Sequence, residues 1–186
     1  MATVLVTGAN RGIGLEYCRQ LTSRGDHVVA VCRKASRELD SLGVQIEAGI
    51  ELTNPLALDE LMSRLQCQSL DGVILNAGIL HSNGLHDLDA EAIRQQFEVN
   101  ALAPLRLASA LTSNLAAGSW IALMTSRMGS IADNTSGGSY GYRMSKAALN
   151  SAGKSLAIDL KPKGIAVVIL HPGLVSTRMI NFNPNG

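Results

Sequence analysis

The chain has little that would mark it for a metal, an oxidising compartment, a membrane or a nucleic acid. Its three cysteines, Cys18, Cys32 and Cys67, are widely spaced. An odd, scattered set makes neither a disulfide framework nor a zinc site. Free, buried thiols in a reducing compartment are the expectation. His81, His86 and His171 have no partner at ligand spacing, so no metal is expected. Aromatic residues are only 3% of the 186, so the core must come from Val, Ile, Leu and Ala. A net charge of +1 with no basic stripe argues against nucleic acid and anionic membranes as partners. No apolar run reaches the ~18 residues that a membrane helix needs. The chain enters an apolar strand almost at once, without a basic leader or a small-residue cleavage site. A soluble, cytoplasmic protein is the reading.

What is present is alternation. Short apolar runs recur at Thr3 to Val6, His27 to Cys32, Val44 to Ile46, Gly72 to Leu75, Trp120 to Met124 and Ile165 to Leu170. Continuous apolarity with β-branching suits strands buried on both faces. Between them lie helical stretches. Ile13, Tyr17 and Leu21 share one helix face, and Asn54-Pro55 supplies a cap and a first-turn proline. The expected fold is α/β, a Rossmann-like, doubly wound parallel sheet of at least six strands with helices on both faces. One domain spanning residues 1–186 is expected. The ending, Asn181-Phe182-Asn183-Pro184-Asn185-Gly186, reads as a loop. Either the chain stops inside a mobile segment or its last part is missing from this sequence.

The first strand runs into Thr7-Gly8-Ala9-Asn10-Arg11-Gly12-Ile13-Gly14. A tight strand-to-helix turn needs residues without Cβ, for positive φ and for close backbone approach. The helix N-terminus then offers free N–H groups and partial positive charge to a pyrophosphate. Far downstream, Tyr142 and Lys146 are four residues apart and share a helix face. A tyrosine with pKa of about 10 exchanges its proton poorly near neutrality. An ammonium ~5 Å away, at an effective dielectric of ~20, favours the phenolate by about 3 kcal/mol, a drop of roughly two pKa units. Pro104 lacks an N–H, so the carbonyl of Asn100, four residues earlier, loses its helical partner and is free to hold a water.

The glycine spacing resembles that of the short-chain dehydrogenase/reductase family, whose turn is Thr-Gly-x-x-x-Gly-Ile-Gly. Later landmarks appear in the family's order. Asn76-Ala77-Gly78 follows the fourth strand, Asn100 stands at the helix asparagine, and Tyr142 and Lys146 fit Tyr-x-x-x-Lys. Pro172-Gly173-Leu174-Val175-Ser176-Thr177 resembles the segment beside the nicotinamide. The runs Thr125 to Ile131 and Tyr142 to Asn150 are similar to the C-factor and Sniffer-like carbonyl reductase branch. The resemblance implies a nicotinamide dinucleotide held by Gly8, Asn10, Arg11, Gly12, Ile13, Gly14, Asn76, Ala77, Gly78, Pro172, Gly173, Val175 and Thr177. It also implies that Tyr142 and Lys146 contact that cofactor, with Lys146 on the nicotinamide ribose, and that Asn100 feeds a water relay toward Lys146. Glu51-Leu52 stands where the family places an aspartate near the adenine.

The second strand ends Val31-Cys32-Arg33-Lys34 with no carboxylate to bind the ribose hydroxyls. Arg33 can grip a phosphate bidentately, and Arg11 can approach the same group. NADP(H) is therefore expected over NAD(H). The serine is less direct, because the family's usual place, thirteen residues before the tyrosine, holds Gly129. An insertion of about three residues in the polar stretch from Ser130 to Ser139 points to Ser126, with Ser130 as the rival. The expected catalytic set is Asn100, Ser126, Tyr142 and Lys146. NADPH-dependent reduction of a small carbonyl compound is the implied activity. A non-catalytic NAD(P)-binding signalling protein of the C-factor type, and an NAD-linked alcohol dehydrogenase, stand as alternatives. The resemblance also implies a homodimer or homotetramer through helices near 89–112 and 141–160.

Overall fold

The computed structural model describes residues 1–66 and 68–180. Cys67 and the terminal loop reading at 181–186 lie outside them. Six strands form one parallel sheet: β1 (Thr3–Thr7), β2 (His27–Val31), β3 (Gln45–Glu47), β4 (Leu70–Leu75), β5 (Leu115–Met124) and β6 (Ala166–Leu170). Their spatial order is β3-β2-β1-β4-β5-β6. The chain builds outward from β1 to β3, then returns to lay β4 on β1's other side. Val4 thus pairs with both Val28 and Gly72. That reversal between β1 and β4 is the switch point at which doubly wound sheets open a crevice beyond the strands' C-terminal ends.

The helices are α1 (Gly12–Ser23), α2 (Arg37–Asp40), α3 (Pro55–Leu65), α4 (Ala90–Phe97), α5 (Ala103–Ala110) and α6 (Tyr140–Leu160). Alternate strand residues feed two cores. Val4, Val6, Val28 and Ala30 meet Cys18 and Leu21 of α1 on one face. Leu5, Val29, Val73 and Leu123 meet Leu61 of α3, Leu107 of α5 and Leu149 of α6 on the other. The strands thus read as continuous apolar runs because both faces are covered. Cys18 and Cys32 are free and buried, and burial pushes the Cys18 thiol up to about 12. Asn54 caps α3 as expected, its Oδ1 accepting from the Leu56 N–H at 3.0 Å.

Three elements depart from the sequence reading. The single helix expected near 89–112 is split, with a π-helix at Glu98–Leu102 between α4 and α5. The cause is Pro104, which cannot donate back to Asn100, so the turn widens and Ala103 donates instead to Glu98. The one-turn helix α2, capped by Ser36, was too short for a periodic signal. β6 is not covered on both faces: Val168 and Ile169 are 43% and 40% exposed. None of the described helices is long and apolar enough to cross a membrane.

Candidate active site

A cleft of about 920 Å³ opens over the C-terminal ends of β1, β2 and β4. That volume lies near the top of the ~300–1,000 Å³ range of ligand sites. Its floor is the turn from β1 to α1. Gly8 and Gly12 have φ of +65° and +54°, which side chains rarely tolerate. Gly14 serves close backbone approach, the second need read from the turn. It does not line the cleft but packs so closely that a Cβ would overlap the Gly8 carbonyl oxygen. Arg11 precedes α1 in extended conformation with no side-chain cap on the helix, and its first turn carries no acid. The first N–H groups of α1 are thus left for an anion, and the glycines leave the backbone bare. These features fit the pyrophosphate of a dinucleotide. Asn10 is turned to support: its amide donates to the Lys34 carbonyl at 2.8 Å, tying the turn to the end of β2.

The opposite wall is Asn76-Ala77-Gly78. It is fixed by Thr7, whose Oγ1 accepts from the N–H groups of Asn76 and Ala77 at 3.0 and 3.1 Å. Asn76 returns a bond from Nδ2 to the Thr7 carbonyl at 3.0 Å. The far rim carries Arg33, Glu51 and Leu52, and Thr177 closes the near side. Arg33 Nη1 lies 3.3 Å from Glu51 Oε2, so the two residues read separately from sequence form one pair. Among the lining residues are Gly8, Asn10, Arg11, Gly12, Ile13, Asn76, Ala77, Gly78 and Thr177; Pro172, Gly173 and Val175 are not.

Beyond Gly78 the cleft meets a buried polar centre. A Cβ on Gly78 would stand 3.2 Å from Asn100 Oδ1 and 3.7 Å from Lys146 Nζ. Asn100 is fully buried inside the π-helix. Its Oδ1 accepts from Ile79 N–H at 2.8 Å, and its Nδ2 donates to the Ile79 carbonyl and to Ser145 Oγ at 2.9 and 3.0 Å. Lys146 Nζ donates to the Met124 carbonyl at 2.8 Å and lies 5.7 Å from the centroid of the Tyr142 ring. The helical spacing has therefore put phenol and ammonium side by side, as the sequence implied.

The expected fall in the tyrosine's pKa is not what this arrangement gives. Burial pushes the Tyr142 phenol above its ordinary value, and the nearby Ser126 hydroxyl opposes this only in part. The ammonium stands over the ring, 5.7 Å from its centroid, and is itself held down to about 8 by burial. An ammonium at full strength beside the phenolic oxygen would lower its pKa, but the burial of both groups outweighs that attraction.

Ser126 and Ser130 separate clearly. Ser126 lies close enough to the phenol for its hydroxyl to favour the phenolate, and its Oγ accepts from Met128 N–H at 3.2 Å. Ser130 Oγ accepts from Asp133 N–H at 3.3 Å, within its own turn. Gly129, at the family's usual serine position, packs on α6. A Cβ there would be 2.8 Å from the Lys146 carbonyl carbon, leaving no room for a hydroxymethyl group.

Sequence reading missed Thr7, Gln96, Gly141 and Ser145 as parts of the site. The signal was available as spacing. Gln96 precedes Asn100 by one helical turn, and Gly141 precedes Ser145 likewise. Among the described residues, no group of three His, Cys, Asp or Glu side chains is placed to hold a metal ion.

A bare-backbone turn at a sheet switch point, leading to a polar centre at Asn100, Ser126, Tyr142 and Lys146, has the form of a dinucleotide-dependent oxidoreductase. The chain belongs to the short-chain dehydrogenase family, whose model matches residues 2–185. It is 41% identical over 186 residues to 1-hydroxy-2-glutathionyl-2-methyl-3-butene dehydrogenase of Rhodococcus sp. (strain AD45), covering 99% of this chain and 82% of that one. It is 49% identical over 113 residues to the C-signal protein of Myxococcus xanthus, covering 59% of this chain and 68% of that one. Among solved structures it is similar to the carbonyl reductase Sniffer of D. melanogaster. The TM-score is 0.85 at 33% identity, covering 96% of this chain and 83% of that one. It is also similar to the NADPH-bound carbonyl reductase from chicken fatty liver. There the TM-score is 0.83 at 30% identity, covering 96% of this chain and 82% of that one.

Proposed function

We propose that this oxidoreductase reduces a small ketone or aldehyde to an alcohol with NADPH, Tyr142 giving the proton. The observation that carries the reading is the convergence of Ser126 and Lys146 on Tyr142 at the end of the cleft. When bound, the cofactor supplies the hydride. Gly8, Gly12 and the first turn of α1 hold its pyrophosphate, and Asn76-Ala77-Gly78 form the facing wall. Ser126 orients the carbonyl oxygen, and Tyr142 delivers its proton there. A phenol whose pKa is raised by burial keeps that proton at neutral pH, which suits an acid awaiting a substrate oxygen that gains negative charge. Lys146, beside Gly78, holds the nicotinamide ribose and its charge stabilises the phenolate left behind. Asn100, whose carbonyl is denied its usual i+4 donor by Pro104, seats the water through which the proton is replaced.

Preference for NADP(H) over NAD(H) is supported by Arg33 and Arg11 on the cleft rim. The NADPH held by the chicken enzyme agrees with it. Assembly as a homodimer or homotetramer is supported by outward Phe97 of α4, with Met144 and Ile158 of α6, at 44%, 56% and 59% exposure. The direct test is cofactor-dependent turnover of a panel of ketones and aldehydes by the purified chain, with NADPH and NADH compared. A second reading is a signalling protein that holds NAD(P) without turnover, favoured by the likeness to the C-signal protein. Retained biological function in Tyr142→Phe would support it; loss together with turnover would not.

A further inference from the structure

We propose that Gln96 is a positioning residue for the reaction centre, and that position 141 is glycine because of it; the inference rests on the reductase reading. Gln96 has no exposed surface, although it lies on a helix whose other polar residues face solvent. Its Oε1 accepts from the His81 N–H at 2.9 Å, and its Nε2 donates to the Ala92 carbonyl at 3.3 Å. Nε2 also lies against Gly141, where a Cβ would overlap it and come within 3.1 Å of Ile93 Cα.

Asn100 repeats this pattern one turn later. It holds Ile79 by both backbone groups and touches α6 at Ser145. Two buried amides on successive turns thus each fix one residue of the 79–86 loop. Each also meets α6, at points themselves one turn apart. Tyr142 and Lys146 are the next residues in the chain after those two points.

The arrangement has a mechanical consequence. A single contact between two helices sets their distance but leaves each free to rotate about its axis. Two contacts a turn apart also fix the rotation. For α6, rotation is what aims the Tyr142 hydroxyl at Ser126. The same loop is held to the start of α6 a second time. Ser139, at φ +49°, donates its N–H to the Asn83 carbonyl at 2.7 Å. A left-handed non-glycine residue costs energy and persists only where its surroundings fix it. An apolar side chain at position 96 would fill the same space but release the His81 N–H, and with it the loop that Gln96 holds beside α6.

The test uses the whole chain with Gln96→Met, which keeps size and loses both polar atoms. Misplacement of a proton donor lowers turnover rather than cofactor affinity, so kcat should fall about tenfold or more with KM for NADPH within about twofold. The Tyr142 titration, followed by ¹³Cζ tyrosine NMR, should move by about half a unit or more. Gly141→Ala disturbs the contact from the other side and should do the same, which keeps the test open if Gln96→Met does not fold. Unchanged kcat and an unchanged Tyr142 titration in either folded variant overturn the proposal. If the wild-type chain turns over no carbonyl compound, the reductase reading fails, and the tyrosine titration alone still decides the positioning claim.

Discussion

Arg33 and Glu51 face each other across the rim of the cleft, Nη1 to Oε2 at 3.3 Å, with side chains 68% and 43% exposed. An ion pair this exposed is worth about 0–1 kcal/mol, so breaking it costs little. The guanidinium is therefore parked on Glu51 through a single contact and free to turn to a phosphate, which it can grip bidentately and which carries higher charge.

Cofactor selectivity follows from that pair. A charge-assisted bond contributes about 1.5–3 kcal/mol, so Arg33→Ala should cut the preference for NADPH over NADH by about tenfold or more. Glu51→Gln should raise the preference by releasing the arginine. Dissociation constants by fluorescence titration check both. Equal affinities for the two cofactors in the wild type would contradict the assignment.

Ser126 and Gly129 give opposite signatures. Ser126→Ala should lower kcat by about a hundredfold. It should also move the alkaline limb of the pH profile upward, because Ser126 offsets part of the rise that burial imposes on Tyr142. Ser130→Ala should leave both near wild type. Gly129→Ala should act on stability instead. Its Cβ would press on the Lys146 backbone at 2.8 Å, and overpacking of that kind costs about 1–3 kcal/mol. A lowered Tm is the readout.

Most of the fold was legible because alternation of buried strands with amphipathic helices leaves a strong pattern. All six strands overlap the apolar runs that announced them. The nucleotide turn was legible because only glycine permits its backbone angles. Three things were not. The tyrosine's pKa direction depends on burial, which spacing alone does not report. Gly129 is glycine for packing against the Lys146 backbone, not for φ, and spacing alone does not report that contact. The π-helix was visible only as a proline four residues after Asn100, and whether the chain kinks or widens there is settled by what packs around it.

Lys146 should leave a mark on stability. In the unfolded chain its ammonium titrates near 10.5; folded, burial lowers this to about 8. Below about pH 8 both states are protonated and the penalty for burying the charge is constant. Between 8 and 10.5 the unfolded chain binds the proton that the folded chain has released, so stability from this group rises with pH. The gain approaches about 3 kcal/mol at the top of that window. Urea unfolding of wild type and Lys146→Met at several pH values isolates it. The wild type should gain on the variant as pH rises, and a flat difference would contradict the buried ammonium.

The most direct test of the central claim is single-turnover reduction of a reactive ketone by Tyr142→Phe with NADPH. The proton donor is removed while the ring and its contact with Lys146 remain. The rate should fall by about 10²–10⁴, with NADPH affinity within a few-fold of wild type. A variant that reduces the ketone at the wild-type rate would show that the proton comes from elsewhere, and the reductase centre described above would not be the one in use.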